Sequence, residues 1–233
     1  MLACGCSLPA FAATPSSNQT AVLEPALQPS SPGRRTAVLF KVRFPTVPRL
    51  PAPLQFVRVF LPEGLTNLRL AWPNTLGCSR KRLLEAGPKG CPPRSQIGYG
   101  SALLGLEAGG AVVRKRAKLT VFVGPTTGAY VLNVLGELPG QLAVRFVFSE
   151  QLSAVSSPYS SGVEVNLAGS FVSSLLELTE VVGRPTPRHH SVQDGELKLY
   201  TPRHCPPGGY RWLASFTYLT GASETLETAT PCR

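Results

Sequence analysis

The stretch Ile97–Val123, IGYGSALLGLEAGGAVVRKRAKLTVFV, decides the fold class. Two runs, Ile97 to Leu106 and Ala111 to Val123, flank Gly109-Gly110, and a Gly pair supplies the positive backbone angles of a two-residue hairpin turn. In the second run Arg114, Arg116, Lys118 and Thr120 project to one side, while Val113, Ala117, Leu119 and Val121 are expected to face inward. Lys115 is left on the apolar side near the turn. An alternation this long is a half-buried antiparallel strand, not a helix.

The same period recurs on both sides. Thr36, Val38, Phe40, Val42 and Phe44 share one face against Lys41 and Arg43; Val57, Val59 and Leu61 oppose Arg58; Leu68 and Leu70 surround Arg69. Further strands are expected at Ala129–Gly136, Gln141–Ser149, where Leu142, Val144, Phe146 and Phe148 oppose Arg145, and Val163–Leu167. Leu175–Val182, Glu196–Tyr200, Tyr210–Leu219 and Glu224–Ala229 complete the set. With 22 Gly and 23 Pro in 233 residues, this pattern predicts an all-β antiparallel sandwich, Ig-like or jelly-roll-like, of ten or more short strands. One helical turn is expected at Arg80–Glu85, stopped by Gly87-Pro88. Residues 36–233 read as one body, with a division into two lobes placed near Gly183 to Val192.

Residues 1–13 carry no charge, and Ala10-Phe11-Ala12 has the small-x-small pattern of a signal cleavage site. The basic n-region is missing and the apolar stretch is short, so translation is expected to start upstream of Met1. Leu2-Ala3-Cys4 resembles the end of a lipobox, which offers a lipid anchor as a second mode of attachment. Residues 14–35, rich in Ser, Pro, Gln and Thr, read as a flexible spacer. They include the sequon Asn18-Gln19-Thr20, although the preference for Arg over Lys points to a GC-rich bacterium. The expected location is extracellular or at the cell envelope.

Loss of the leader removes Cys4 and Cys6 and leaves Cys78, Cys91, Cys205 and Cys232. Of three pairings, spacing favours Cys78 with Cys91 and Cys205 with Cys232, each worth roughly 3 to 4 kcal/mol through loop entropy. No Cys-x-x-Cys exists, and His189, His190 and His204 are not spaced as metal ligands. No metal or other cofactor is expected.

The run Cys78 … Leu83 … Gly87-Pro88 … Cys91-Pro92 … Ser95-Gln96-Ile97-Gly98-Tyr99-Gly100-Ser101-Ala102 resembles a pattern in exported β-sandwich proteins of high-GC actinobacteria to which no activity is assigned. The Leu-Pro-x-Gly-Leu stretch at Leu61 to Leu65 and a terminal aromatic strand ending in Pro-Cys, Phe216 to Cys232, look like parts of the same pattern. The resemblance covers much of Leu61 to Ala102 and the last thirty residues. It implies an exported sandwich with local disulfides, and no functional residue transfers.

The net charge of +10 comes mainly from arginine, with six lysines among 23 basic residues and Asp194 the sole aspartate. A carboxylate pair would have to come from scattered glutamates and is not expected. The candidate anion-binding residues are Arg114, Arg116 and Lys118 on the strand, joined by Arg80, Lys81, Arg82, Lys89 and Arg94 of the first cysteine loop if the two segments lie together. The bland reading of the same charges is a solvated face. Partners of fitting charge are an anionic wall polymer, an anionic membrane surface or another envelope protein. Nucleic acid fits poorly, because no aromatic residues interleave the basic runs.

Trp72 and Trp212, with Tyr99, Tyr159 and Tyr210, form a candidate aromatic platform for sugars, against a core-packing role. Gly98-Tyr99-Gly100 begins like a dinucleotide fingerprint, but Leu103 occupies the third glycine position and the context is a strand; a bulge or close packing explains it. Gly-x-Ser-x-Gly, Ser-x-x-Lys and His-Glu-x-x-His are all missing. The reading is therefore a non-enzymatic exported structural or binding module acting through an Arg-rich face. Its rivals are a carbohydrate-binding module and a hydrolase with a dispersed active site.

Overall fold

A computed structural model describes residues 21–46, 50–65, 77–108, 111–125, 130–140, 144–167, 173–183 and 197–233. The strands are β1 (Val22–Leu23), β2 (Ala26–Gln28), β3 (Arg35–Arg43), β4 (Leu54–Pro62), β5 (Gln96–Ala108), β6 (Ala111–Val123) and β7 (Tyr130–Leu138). They continue with β8 (Val144–Ala154), β9 (Tyr159–Asn166), β10 (Ser174–Val182), β11 (Leu199–Tyr200), β12 (Tyr210–Tyr218) and β13 (Ser223–Thr230). Among the described residues there is one helix, α1 (Arg80–Ala86), and it precedes two short 3-10 turns.

All thirteen strands belong to one antiparallel sheet in the order β1-β3-β10-β5-β6-β7-β8-β9-β4-β12-β13, with β2 and β11 adding to β3. The sheet curls until its ends nearly meet, so the two facing layers expected of a sandwich are halves of one continuous surface. The seam is held by the Ala21 N–H donating to Glu224 Oε1 at 2.8 Å. Glu224 also accepts from the Tyr218 hydroxyl through Oε2, at 3.1 Å. Burial and the adjoining Glu224 carboxylate push the Tyr218 phenol pKa upward.

Alternation sends one residue in two to the interior. Val38 and Val42 of β3, Leu119 and Val121 of β6, Leu132 and Val134 of β7, Val57 and Val59 of β4, and Trp212 and Phe216 of β12 fill a single core. Fully burying each such side chain contributes roughly 1.5–3 kcal/mol, which is what drives the curl. Gly98 and Gly100 let β5 approach β10: a Cβ added at Gly100 would lie 2.2 Å from the Thr179 carbonyl oxygen, and at Gly98 2.4 Å from that of Val181. The β5–β6 register shifts between Gln96 and Gly98, the bulge expected of strand glycines.

Three expectations change. Residues 21–35 belong to the body and not to a spacer: Ala21, Leu23 and Leu27 are buried, and β2 pairs with β3 from Ala26↔Leu39 to Gln28↔Ala37. Short apolar anchors within polar sequence give no periodic signal, which is why the segment read as a linker. Val113 is exposed, not inward, because β10 pairing ends at Ser174↔Gly105 and β7 pairing begins at Lys118↔Glu137, leaving Val113 beyond the rim. No lobe boundary separates the described strands on either side of residues 184–196, since β12 and β4 pair within the same sheet. The leader, Asn67–Ala71, Trp72, Gly109-Gly110 and His189-His190 lie outside the described residues. The closing Ala108↔Ala111 pair leaves two residues for the hairpin connection.

Candidate anion-binding face

The first cysteine loop is built onto the outside of the sheet. Ser79 caps α1 by accepting from the Arg82 N–H at 3.3 Å, and Gly87 ends the helix with φ +63°. Leu83, fully buried, packs with the Cys78–Cys91 disulfide on Phe122, Leu135 and Val147, the outward-facing residues of β6, β7 and β8. Polar contacts fix the loop further: the Asn133 amide donates to the Cys78 carbonyl at 2.8 Å, and Arg80 donates to the Val147 carbonyl at 2.9 Å. Cys205 and Cys232 form the second disulfide, with Cα atoms 5.6 Å apart.

This docking places the two basic segments on one face. Arg114, Arg116 and Lys118 alternate outward along β6, on the side that Phe122 presents to the helix. Between them lies Arg145 of β8, whose guanidinium carbon sits 3.1 Å from where a Cβ at Gly87 would be. Arg145 also bonds Glu137 Oε1 at 3.3 Å, and Glu137 is the register partner of Lys118. Arg116 pairs with Glu177 at 3.3 Å and Lys81 with Glu85 at 3.9 Å. Arg80, Lys81, Arg82, Lys89, Arg94, Arg114, Arg116 and Lys118 are all exposed. Arg94 follows Pro93 in a 3-10 turn ahead of β5, apart from the helix that carries Arg80, Lys81 and Arg82. Arg145 is the residue that sequence reasoning missed, although its outward register opposite Phe146 and Phe148 was visible.

Of the candidate aromatic platform, Trp72 lies outside the described residues, and Trp212 serves the core. Trp212 and Tyr210 are fully buried, and the Trp212 indole N–H donates to Thr230 Oγ1 at 3.0 Å, so both rings pack the core. A different outer cluster combines Phe56, Phe60 and Tyr159, but Arg58 sits within 6 Å of both Phe rings, 5.7 and 5.9 Å from the centroids.

A carboxylate pair does form, against expectation. Glu150 of β8 and Glu180 of β10, each 6% exposed, meet inside the barrel. Burial raises both pKa values, Glu180 to about 7, and the Glu150 carboxyl donates a hydrogen bond that favours the Glu180 carboxylate. They line a cavity of about 80 Å³ with Val38, Val59, Leu132 and Val163, and Glu150 also borders a second of about 60 Å³. Apart from the two carboxyls, the walls of the first cavity are apolar. A wider cleft of about 330 Å³ contains Glu63, His204, Tyr210 and Arg211 among several prolines; among the described residues, no serine, threonine or cysteine lines it. Among the described residues, no three His, Cys, Asp or Glu side chains gather in a metal-binding group, and no helix is long and apolar enough to cross a membrane.

No family model matches the chain, and no match was found among curated proteins or solved structures.

Proposed function

We propose that this protein is an exported, non-enzymatic binding module of the cell envelope that contacts an anionic surface through the face bearing α1 and the outer side of β6. The observation that carries the reading is the juxtaposition across Arg145: two basic segments distant in sequence are held on one rigid wall by the Cys78–Cys91 loop. Glu85, Glu137 and Glu177 offset part of the charge, each through one ion pair, and Arg82, Lys89, Arg114 and Lys118 add to the positive balance. Export is supported by the leader pattern and by two disulfides, which persist in oxidising compartments. Arginine usage and the sequence resemblance favour an actinobacterial envelope.

The test is retention of the protein on immobilised polyphosphate across a salt gradient. Retention should be strong at about 0.1 M salt and vanish toward about 1 M, where the screening length shrinks from roughly 10 to roughly 3 Å. Absence of retention at low salt contradicts the reading.

A further inference from the structure

The up-and-down course of the strands assigns every connection to one of two ends. The end that holds the β5–β6, β7–β8 and β12–β13 connections also holds the start of β1 and the end of β3. Among the described residues, eight large apolar side chains are exposed, and only Leu84 and Tyr200 lie elsewhere. Val22, Leu106, Val112, Val113, Val144 and Leu219 are all at this end. Scattered exposed apolar residues are ordinary, but concentration at one end is not.

The β5–β6 hairpin extends beyond both neighbouring strands. Leu106 pairs directly with Val113 and Glu107 with Val112, past the last rungs of β10 and β7. Arg114, Lys115 and Arg116 follow at once, all exposed, with Lys115 on the side opposite its two neighbours. Lys115, a misfit for a buried face, is thereby a cation at the rim. Glu107 is the only carboxylate on the described hairpin.

An apolar tip on a cationic stem matches a surface that is anionic outside and apolar beneath. We propose that this end of the barrel docks on an anionic lipid bilayer, Leu106, Val112 and Val113 entering the interfacial layer while Arg114, Lys115 and Arg116 lie against the head groups. The proposal rests on the anionic-surface reading and names lipid as the anion. A soluble polyanion has no apolar layer for the tip; a bilayer supplies both signals, and stable attachment without a spanning helix requires two.

The experiment is co-sedimentation of the full chain with vesicles of phosphatidylglycerol and phosphatidylcholine, run beside retention on polyphosphate. Leu106→Ser/Val112→Ser/Val113→Ser should lower vesicle partition by about tenfold or more, from the lost apolar transfer, and leave polyphosphate retention unchanged. Arg114→Gln/Arg116→Gln should weaken both. Val112→Trp should bind vesicles more tightly, with blue-shifted emission, and it guards against a tip variant that misfolds. Retention on polyphosphate without vesicle binding, or Val112→Trp emission unmoved by vesicles, overturns the lipid proposal alone. Failure to bind polyphosphate overturns the reading beneath it.

Discussion

Glu150 and Glu180 hydrogen-bond to each other across the barrel interior although β5, β6 and β7 stand between their strands in the sheet. A shared proton lets the two carboxyls occupy apolar surroundings with one negative charge instead of two. The pair therefore ties opposite walls of the curled sheet together, and its integrity depends on pH.

For both groups the folded-state pKa lies above the ordinary value of 4.5, for Glu180 at about 7, so the folded chain binds more protons than the unfolded chain as pH rises from about 4.5 through about 7. Stability from this source is complete below that window and is lost as pH rises through it. The midpoint of thermal unfolding should fall by roughly 5 to 10 °C between about pH 5 and pH 8. Glu150→Gln, which keeps a donor for Glu180 and removes one ionisation, should flatten the profile; an unchanged slope would show that the pair does not couple to folding.

Replacing Cys78 and Cys91 together by serine opens a loop of sequence separation 13 and should cost about 3 kcal/mol. Because that loop carries Arg80, Lys81, Arg82 and Lys89, polyphosphate retention should weaken as well, with elution at lower salt. Amide exchange in Arg80–Ala86 should accelerate more than exchange in β12. Equal acceleration in both would contradict the placement of the loop as a separate outer cap.

Gly100→Ala should destabilise by more than about 2 kcal/mol, since the new Cβ meets a backbone carbonyl at 2.2 Å and only movement of β5 from β10 relieves it. Chemical denaturation would measure this. A loss below about 0.5 kcal/mol would mean that the two strands are not in this close register.

Local structure was largely legible. β6 covers the same residues as its predicted run, β3 shifts by a residue, β12 ends one residue earlier, and α1 extends only to Ala86, because alternation and capping are properties of contiguous sequence. Pairing partners were not: β10 lies between β3 and β5, and β4 lies between β9 and β12, arrangements that depend on packing between distant segments. The buried carboxyls did leave a trace. Glu150 continues the inward series of Phe146 and Phe148, and Glu180 lies between Leu178 and Val182 on the same face of β10. Ending the expected strand at Ser149 left Glu150 outside it. Trp212 was ambiguous because a strand aromatic serves a core or a surface equally well until its face is assigned.

The proposed function requires that a particular face, and not net charge, bind anions. The direct measurement compares two triple variants with the same loss of three charges on immobilised polyphosphate: Arg114→Gln/Arg116→Gln/Lys118→Gln on β6, and Lys198→Gln/Arg203→Gln/Arg211→Gln away from it. The β6 variant should elute at markedly lower salt while the other stays near the wild-type position. Equal displacement of both would show that the charge acts as a whole and that the face has no special role.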